Sequence, residues 1–293
     1  CRARKYRFRR LWWLINFNKV SRYFFSKLIA LIAGIILLLI AYNHNANSLY
    51  VISGNAYGTT WSVSSPQYIA DNHKEAIKDI INDIDYVASN YKSKSEISKI
   101  NLNFKQSQFV SNDLFEILKI AKSVEDISDG YYNIMLGKIS SSLGFAPDFG
   151  KKSLQKKLST YELDEKNSSL IRYSENWFDL SSIAKGYAVQ KIHEYLTLSN
   201  LNNHLIDIGG ELIISGSKNG KPWNIGIQNP LSNIDSSTTT INNENNDFLA
   251  IATSGEYRNF KLDKDGNKIT HTINPLTLCL LYTSDAADES VSV

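Results

Sequence analysis

Two helical stripes, two short apolar strands and one long uncharged run predict a domain of alternating helices and strands behind a single N-terminal membrane-crossing helix. The first stripe lies in 74–89, with Ile77, Ile80, Ile81, Ile84 and Val87 at helical spacing. The second lies in 111–128 and carries Leu114, Ile117, Leu118, Ala121 and Val124. Leu205-Ile206-Asp207-Ile208 and Leu249-Ala250-Ile251-Ala252 are short enough and apolar enough to be strands. With 293 residues, the chain has room for one large domain or two small ones.

The N-terminal segment sets the charge balance. The chain opens at Cys1 with no initiating Met, which predicts a piece of a longer product or an incomplete gene reading. Residues 1–27 hold nine basic side chains (Arg2, Arg4, Lys5, Arg7, Arg9, Arg10, Lys19, Arg22, Lys27) and no acid. Removing them from the total of 32 leaves 23 basic residues against 29 acidic, a remainder near −6. Positive charge confined to one tail does not make a nucleic-acid-binding surface, so no nucleic-acid partner is expected. The tail leads into Leu28 to Ala41, fourteen almost wholly apolar residues, which Tyr23-Phe24-Phe25 and Tyr42 extend to about twenty, enough for a hydrocarbon core of about 30 Å. A cleaved signal peptide is the competing reading, but no small-x-small site stands out after Ala41. The expected layout is therefore a basic cytoplasmic tail over 1–27, an anchor over 23–42 in the lipid bilayer, and a domain outside the cytoplasmic membrane. Two cysteines, Cys1 and Cys279, offer no disulfide framework.

From Leu49 the pattern becomes that of a globular domain. Tyr57-Gly58-Thr59-Thr60-Trp61 reads as a loop entering a strand, and Ser95 is placed to cap a helix beginning at Glu96. Asp129-Gly130 ends the second stripe, where a left-handed cap suits Gly. The polar run 232–247 reads as a flexible surface loop.

The stretch from Asp179 to Glu211 carries the chemistry. Trp177-Phe178-Asp179-Leu180 is strand-like, Ser181-Ser182 turns the chain, and Lys185-Gly186 falls in the first turn of a helix. Ile183, Tyr187, Ile192, Tyr195 and Leu196 share one face of that helix, and Gly209-Gly210 ends the strand that follows. A helix start with exposed N–H groups, a neighbouring lysine and little side-chain bulk suits a phosphate. Read alone, the stretch is more simply an ordinary strand–helix–strand unit, since short glycine motifs are common.

DLSSIAKGYAV over 179–189, followed by HLIDIGGEL over 204–212, resembles the signature of the FAD:protein FMN transferases, the ApbE family. Further segments agree: SNYKSKSEISKIN over 89–101, GYYNIMLG over 130–137, WNIGIQNP over 223–230, AIATSGEYRNF over 250–260 and THTINPLT over 270–277. The resemblance covers about 54–277 and implies an α+β domain over 49–277 of T-fold-like type, mixed β-sheets with flanking helices. Asn133 and Asn274 stand where the family commonly has Asp, and Tyr57 where it has Met. No strand follows Thr277 before Ala287-Asp288, so 278–293 reads as a tail foreign to the pattern.

The resemblance implies Mg²⁺-dependent transfer of FMN from FAD to a Thr or Ser hydroxyl of a target flavoprotein subunit, with release of AMP. It implies flavin or FAD contacts at Tyr57, Tyr91, Tyr131, Tyr132, Asn133, Asp179, Lys185 and Ile273. It also implies a Mg²⁺ ligand at the backbone oxygen of Ser182. Lys185 is the expected cation facing the diphosphate, and His271 the expected acceptor of the hydroxyl proton. A lone His in a Thr-rich strand serves equally well as a structural hydrogen-bonding group. Asp207 reads as a structural carboxylate, and Arg258 as a partner for an acid or a phosphate. An FAD pyrophosphatase and a non-catalytic, membrane-anchored flavin-binding protein are the alternatives.

Overall fold

The computed structural model describes residues 23–42, 48–150, 157–228, 237–244, 248–253, 260–262 and 268–280. The chain divides into two units, Cys1–Leu49 and Tyr50–Val293. In the first, helix α1 (Tyr23–Tyr42) has 20 residues, a mean hydropathy of 2.6 and no buried side chain in its apolar window. Its length of about 30 Å matches a hydrocarbon core. By length and composition it fits a membrane span, as a signal sequence would.

The second unit begins with strand β1 (Tyr50–Ala56), paired with β2 (Thr59–Ser65) across a two-residue turn. Tyr57 (φ 52) and Gly58 (φ 75) occupy that turn in left-handed conformations, so the predicted loop into a strand is the tip of a hairpin. Next come α2 (Asp71–Ala88), α3 (Glu96–Leu102), β3 (Ser107–Phe109) and α4 (Asn112–Ile127). Then follow α5 (Gly137–Ser142), β4 (Tyr161–Asp164), β5 (Ser169–Arg172), α6 (Ala184–Leu198), β6 (His204–Ile208) and β7 (Glu211–Ser215). The described part ends with β8 (Asn224–Gln228), β9 (Ser237–Asn242), β10 (Leu249–Ala252), β11 (Phe260–Leu262) and β12 (Lys268–Thr270).

The main sheet runs β1-β2-β6-β7-β10, and β3-β5-β4 form a smaller one; β8-β9 and β11-β12 are two-stranded. All pairings among the described strands are antiparallel. The α+β expectation is met. One correction concerns 232–247: it contains β9, whose Ser237-Thr-Thr-Thr-Ile-Asn242 pairs with β8. Three threonines and an isoleucine favour a pleated strand once a neighbour supplies the ladder.

The helical stripes become the core. Ile77, Ile81, Ile84 and Val87 of α2, and Leu114, Ile117, Leu118 and Ala121 of α4, are buried with Trp61, Val63, Ile206, Ile208 and Ile213 of the main sheet. α6 packs on β6 and β7, and α2 on α6, α3 and α4. Ser95 caps α3 by accepting the Ser98 N–H at 3.1 Å, and Ser111 caps α4 by accepting from Leu114 at 3.3 Å. Glu96 joins the two starts, its carboxylate accepting both the N–H and the Oγ–H of Ser111 at 2.7 and 2.6 Å.

A second correction concerns Trp177 to Leu180, which is extended but belongs to no sheet. Side chains supply its ladder. The Phe178 N–H donates to Asn101 Oδ1 (2.8 Å), and its carbonyl accepts from Asn101 Nδ2 (2.9 Å) and Asn90 Nδ2 (2.7 Å). The Leu180 N–H donates to Asn90 Oδ1 (2.8 Å). On its other side the segment meets the turn before α5: Gly137 N–H donates to the Trp177 carbonyl (2.9 Å), and Asp179 N–H to that of Ile134 (2.6 Å). Only glycine fits at 137, because a Cβ there would lie 2.8 Å from the Phe178 oxygen. The buried Arg172 also braces this segment. Its guanidinium donates to the Ile100 and Asn176 carbonyls, both at 2.6 Å, and lies over the rings of Phe104 and Phe178. Burial lowers its pKa to about 10, so it stays charged at neutral pH.

At the other end of α6, His204 is fully buried; its Nδ1 contacts the Leu201 carbonyl (2.6 Å) and its Nε2 contacts His193 Nδ1 (2.9 Å). Burial pushes its imidazole down to about 4. The unfolded chain titrates near the ordinary value of about 6.5 and so binds the proton first. Stability from this site is therefore whole above about pH 6.5 and is lost as pH falls toward 4, by on the order of 3 kcal/mol. Thermal melts between pH 7.5 and 4.5 should show that decline, and His204→Gln should flatten it; an unchanged slope would count against the assignment.

Candidate active site

The register of the main sheet places two loop clusters at opposite ends. Ala56 pairs with Thr59, Trp61 with Ile208, Ile208 with Glu211 and Glu211 with Ala252. The β1–β2 turn, the Gly209-Gly210 turn and Thr253 therefore share one end. The Gly209-Gly210 turn takes φ 58 and 98, Asp207 Oδ1 accepts the Gly210 N–H at 2.9 Å, and the Thr253 N–H donates to the Gly210 carbonyl at 3.1 Å. Asp207 is thus a half-buried structural carboxylate, as expected.

α6 starts at this end. Ser181 and Ser182 form the turn before it, and Ser181 N–H donates to Asp179 Oδ1 at 3.0 Å. No side chain caps the helix, whose N-cap residue is Ile183. Gly186 is exposed, with nothing within 4 Å of where a Cβ would stand, so the first turn presents bare backbone. Lys185 donates from Nζ to Glu211 Oε2 at 2.7 Å, both side chains partly buried. Glu211 opens β7 directly after the glycine turn. Its role was not legible in the sequence, because the contact spans 26 residues.

Two tyrosines stand at this start, and one of them leads on to a histidine. Tyr132 Oη lies 3.2 Å from Ser182 Oγ. Burial, and after it the Asp179 carboxylate, raises the pKa of the Tyr91 hydroxyl. Burial is also the largest cause at Tyr132, where Asp179 raises the pKa further and the Ser182 bond lowers it. Both hydroxyls therefore remain protonated at neutral pH. Tyr91 leaves its ring exposed while its hydroxyl donates to the Phe145 carbonyl at 2.8 Å. The Phe145 ring lies 6.1 Å from that of His271, which is exposed. Tyr131 is exposed, and Leu276 approaches the neighbouring Gly130.

Tyr91, Tyr132, Asp179 and Ser182 are thus brought together, Lys185 follows Ser182 by less than one helical turn, and Tyr91 reaches His271 through Phe145. Other candidates are engaged structurally. Tyr57 packs against the core and donates from its hydroxyl to the Ile81 carbonyl at 2.8 Å. Asn133 holds the α4–α5 turn, donating to Glu125 Oε1 (2.9 Å) and accepting from Met135 N–H (2.8 Å). Ile273 is buried and bridges to Leu280. Arg258 and the tail beyond Leu280 lie outside the described residues.

Asn90 and Asn101 were missed as site residues. Both stand in the segment that carries Tyr91, and a polar pair eleven residues apart flanking a helix cap was their only sequence signal. For a divalent cation, the turn before α6 offers hard oxygens, those of Ser182 and Asp179. No group of three His, Cys, Asp or Glu is clustered among the described residues. Mg²⁺ takes oxygen ligands and retains several waters, so one or two protein oxygens here suit it, whereas a Zn²⁺-type site would need more. Asp285 and Asp288 lie outside the described residues.

Comparison with known proteins gives a consistent picture. The model of the ApbE family matches residues 57–293. A protein of Haemophilus influenzae named FAD:protein FMN transferase is 28% identical over 273 residues, covering 84% of this chain and 78% of its own. One of the same name from Vibrio cholerae is 29% identical over 242 residues, covering 77% and 71%. Among solved structures, the apbe protein of Thermotoga maritima superposes with a TM-score of 0.67 at 26% identity, covering 78% of this chain and 77% of that one. A variant of the flavin transferase ApbE from Vibrio cholerae shares the fold, with a TM-score of 0.65 at 24% identity, covering 80% and 79%.

Proposed function

The chain belongs to the ApbE family, and we propose that it is a transferase moving FMN from FAD to a Thr or Ser hydroxyl of a target flavoprotein, with release of AMP and a requirement for Mg²⁺. The names of its curated relatives support the reaction class. The observation that carries the reading is the gathering of Tyr91, Tyr132, Asp179 and Ser182 at the uncapped, glycine-bearing start of α6, with Lys185 in its first turn.

In this reading the acceptor oxygen attacks the phosphorus on the FMN side of the diphosphate. A new P–O bond forms, the bond to the bridging oxygen breaks, and AMP departs with the electron pair. Such a transfer depends mostly on alignment and charge neutralisation. The N–H groups of the first turn and the Lys185 ammonium supply positive potential. Lys185 exchanges Glu211 for the diphosphate, and Glu211 keeps it aimed in the absence of FAD. The exposed faces of Tyr91 and Tyr131 offer stacking surfaces for the flavin. His271 receives the acceptor proton through its ring nitrogen. Ser182 and Asp179 would hold the Mg²⁺, which, when bound, adds charge neutralisation at the diphosphate. The basic tail and α1 suit a single-pass anchor with the domain on the outer side of the cytoplasmic membrane.

The test uses the full chain in detergent with FAD, Mg²⁺ and a peptide bearing an acceptor Thr. Covalent flavin fluorescence on the peptide and an equal yield of AMP are expected, both falling to background with EDTA. AMP without labelled peptide would assign FAD hydrolysis instead, and bound FAD with neither product would overturn the enzymatic reading.

A further inference from the structure

The corner between α2 and α3 touches both halves of the candidate site. Its first residue, Ser89, is tied to the start of α3: the Ser89 carbonyl accepts the hydroxyls of Ser95 at 2.6 Å and Ser98 at 3.1 Å, both of them buried. Ser89 Oγ in turn accepts the Tyr91 N–H at 3.3 Å. Between these two fixed neighbours, the Asn90 amide spans Phe178 and Leu180 as an adjoining strand would, donating to the Phe178 carbonyl and accepting the Leu180 N–H. Leu180 is fully buried, and its own carbonyl opens α6 by accepting the N–H groups of Ile183 at 3.1 Å and Ala184 at 2.9 Å. Tyr91 leaves its ring exposed and pins its hydroxyl to the Phe145 carbonyl at 2.8 Å. One corner thus carries the candidate flavin-stacking ring and, one residue before it, the amide that holds the turn with Asp179 and Ser182.

Resting on the flavin-transfer reading, we propose that Asn90 is a positioning residue: it fixes the span between the Tyr91 ring and the start of α6, so that the flavin and the diphosphate of one FAD molecule are held at once. Its amide meets no reacting atom and acts through the backbone of Leu180. The Phe178 carbonyl has a second donor in Asn101 Nδ2, whereas the Leu180 N–H has no acceptor besides Asn90 Oδ1 among the described residues. Loss of the Asn90 amide therefore releases the α6 end of the segment, while Asn101 still braces it at Phe178. A ligand that uses both anchors gains affinity from their fixed spacing, because its second contact forms within a single complex. A ligand that uses the flavin anchor alone gains nothing from that spacing. The reaction is more sensitive still, since a misplacement of about 1 Å can cost about 10²-fold in rate.

The experiment uses the full chain in detergent and compares FAD with riboflavin, which carries the flavin but no phosphate. Dissociation constants are measured by equilibrium dialysis without acceptor peptide, and transfer is measured separately with it. The parent is expected to bind FAD about tenfold or more tightly than riboflavin. Asn90→Ala should bring the two within roughly twofold, by weakening FAD and leaving riboflavin unchanged, and should lower kcat/KM for transfer about 10²-fold. Asn90→Gln keeps the amide but lengthens its reach, so it should melt close to the parent and still lose most of the preference for FAD. Leu196→Ala, a buried position near the far end of α6, is the control for lost stability alone: it should lower Tm and keep the parental preference. Asn90 variants that keep the parental ratio, or a Leu196→Ala variant that loses it as fully, would overturn the positioning role and leave flavin transfer intact. A parent that binds riboflavin as tightly as FAD, or that transfers no flavin, would overturn the flavin-transfer reading and this proposal with it.

Discussion

Lys185→Ala should lower kcat/KM for flavin transfer by on the order of 10²-fold, the scale of losing one preorganised charge at a reacting phosphoryl group. Its effect on folding should be small. The partner carboxylate of Glu211 is only partly buried, and an ion pair of that kind contributes about 1 kcal/mol or less. Melting should therefore shift by only a few degrees for a domain of this size. Lys185→Arg should recover part of the rate, because it keeps the charge but replaces a compact ammonium with a planar fork. Glu211→Gln separates the two roles of the lysine. It removes the ion pair and leaves the cation, so it should change stability about as Lys185→Ala does while retaining most of the rate. If Lys185→Ala and Glu211→Gln reduced kcat/KM equally, the lysine would be serving only as a strut for the β6–β7 turn, and its proposed contact with the diphosphate would be wrong.

The second large effect is expected at Asn101, a buried residue that touches no flavin in the proposed scheme. Its amide makes two bonds to the Phe178 backbone, at 2.8 and 2.9 Å. Asn101→Leu leaves the buried Phe178 N–H without an acceptor, while its carbonyl keeps Asn90 as a donor. An unsatisfied buried donor together with a lost hydrogen bond costs about 3 kcal/mol, or roughly 6–10 °C in Tm. Because Asp179 follows Phe178 directly, FAD affinity should fall as well, measured by flavin fluorescence quenching at a temperature where the variant is still folded. Asn101→Asp keeps the acceptor for the Phe178 N–H but not the donor, and should lie between the two. Melting unchanged from the parent in Asn101→Leu would show that the segment is fixed by Asn90 and Gly137 alone.

These two positions illustrate how differently the site could be read. Lys185 was legible because its signal is local: a lysine in a first helical turn, next to glycine, has a physical meaning that does not depend on the rest of the chain. The same holds for the Ser95 and Ser111 caps and for the stripes of α2 and α4. Asn101 was not legible, since an asparagine after a short helix has no distinctive pattern. Its function exists only because 77 residues later an extended segment needs a neighbour. At Tyr57 and Asn133, which sequence likeness marks as flavin contacts, the fold adds structural bonds that no motif records: the Tyr57 hydroxyl donates to the Ile81 carbonyl, and the Asn133 side chain donates to Glu125 and accepts the Met135 N–H.

Hydrophobic period and capping chemistry act within one or two turns of chain, so α1, α2, α3, α4 and α6, the β6–β7 turn and the family can be read from the residues alone. Hydrogen bonding across long separations depends on which segments become neighbours, and that is set by the folded chain. It gave Trp177–Leu180 a ladder of asparagine side chains in place of a strand, paired Lys185 with Glu211, and joined Tyr91 through Phe145 to His271. It also put the start of α6 and the Gly209-Gly210 turn at one end of an antiparallel sheet. Alternate strand ends gather residues that lie far apart in the sequence, and no local pattern records where they will meet.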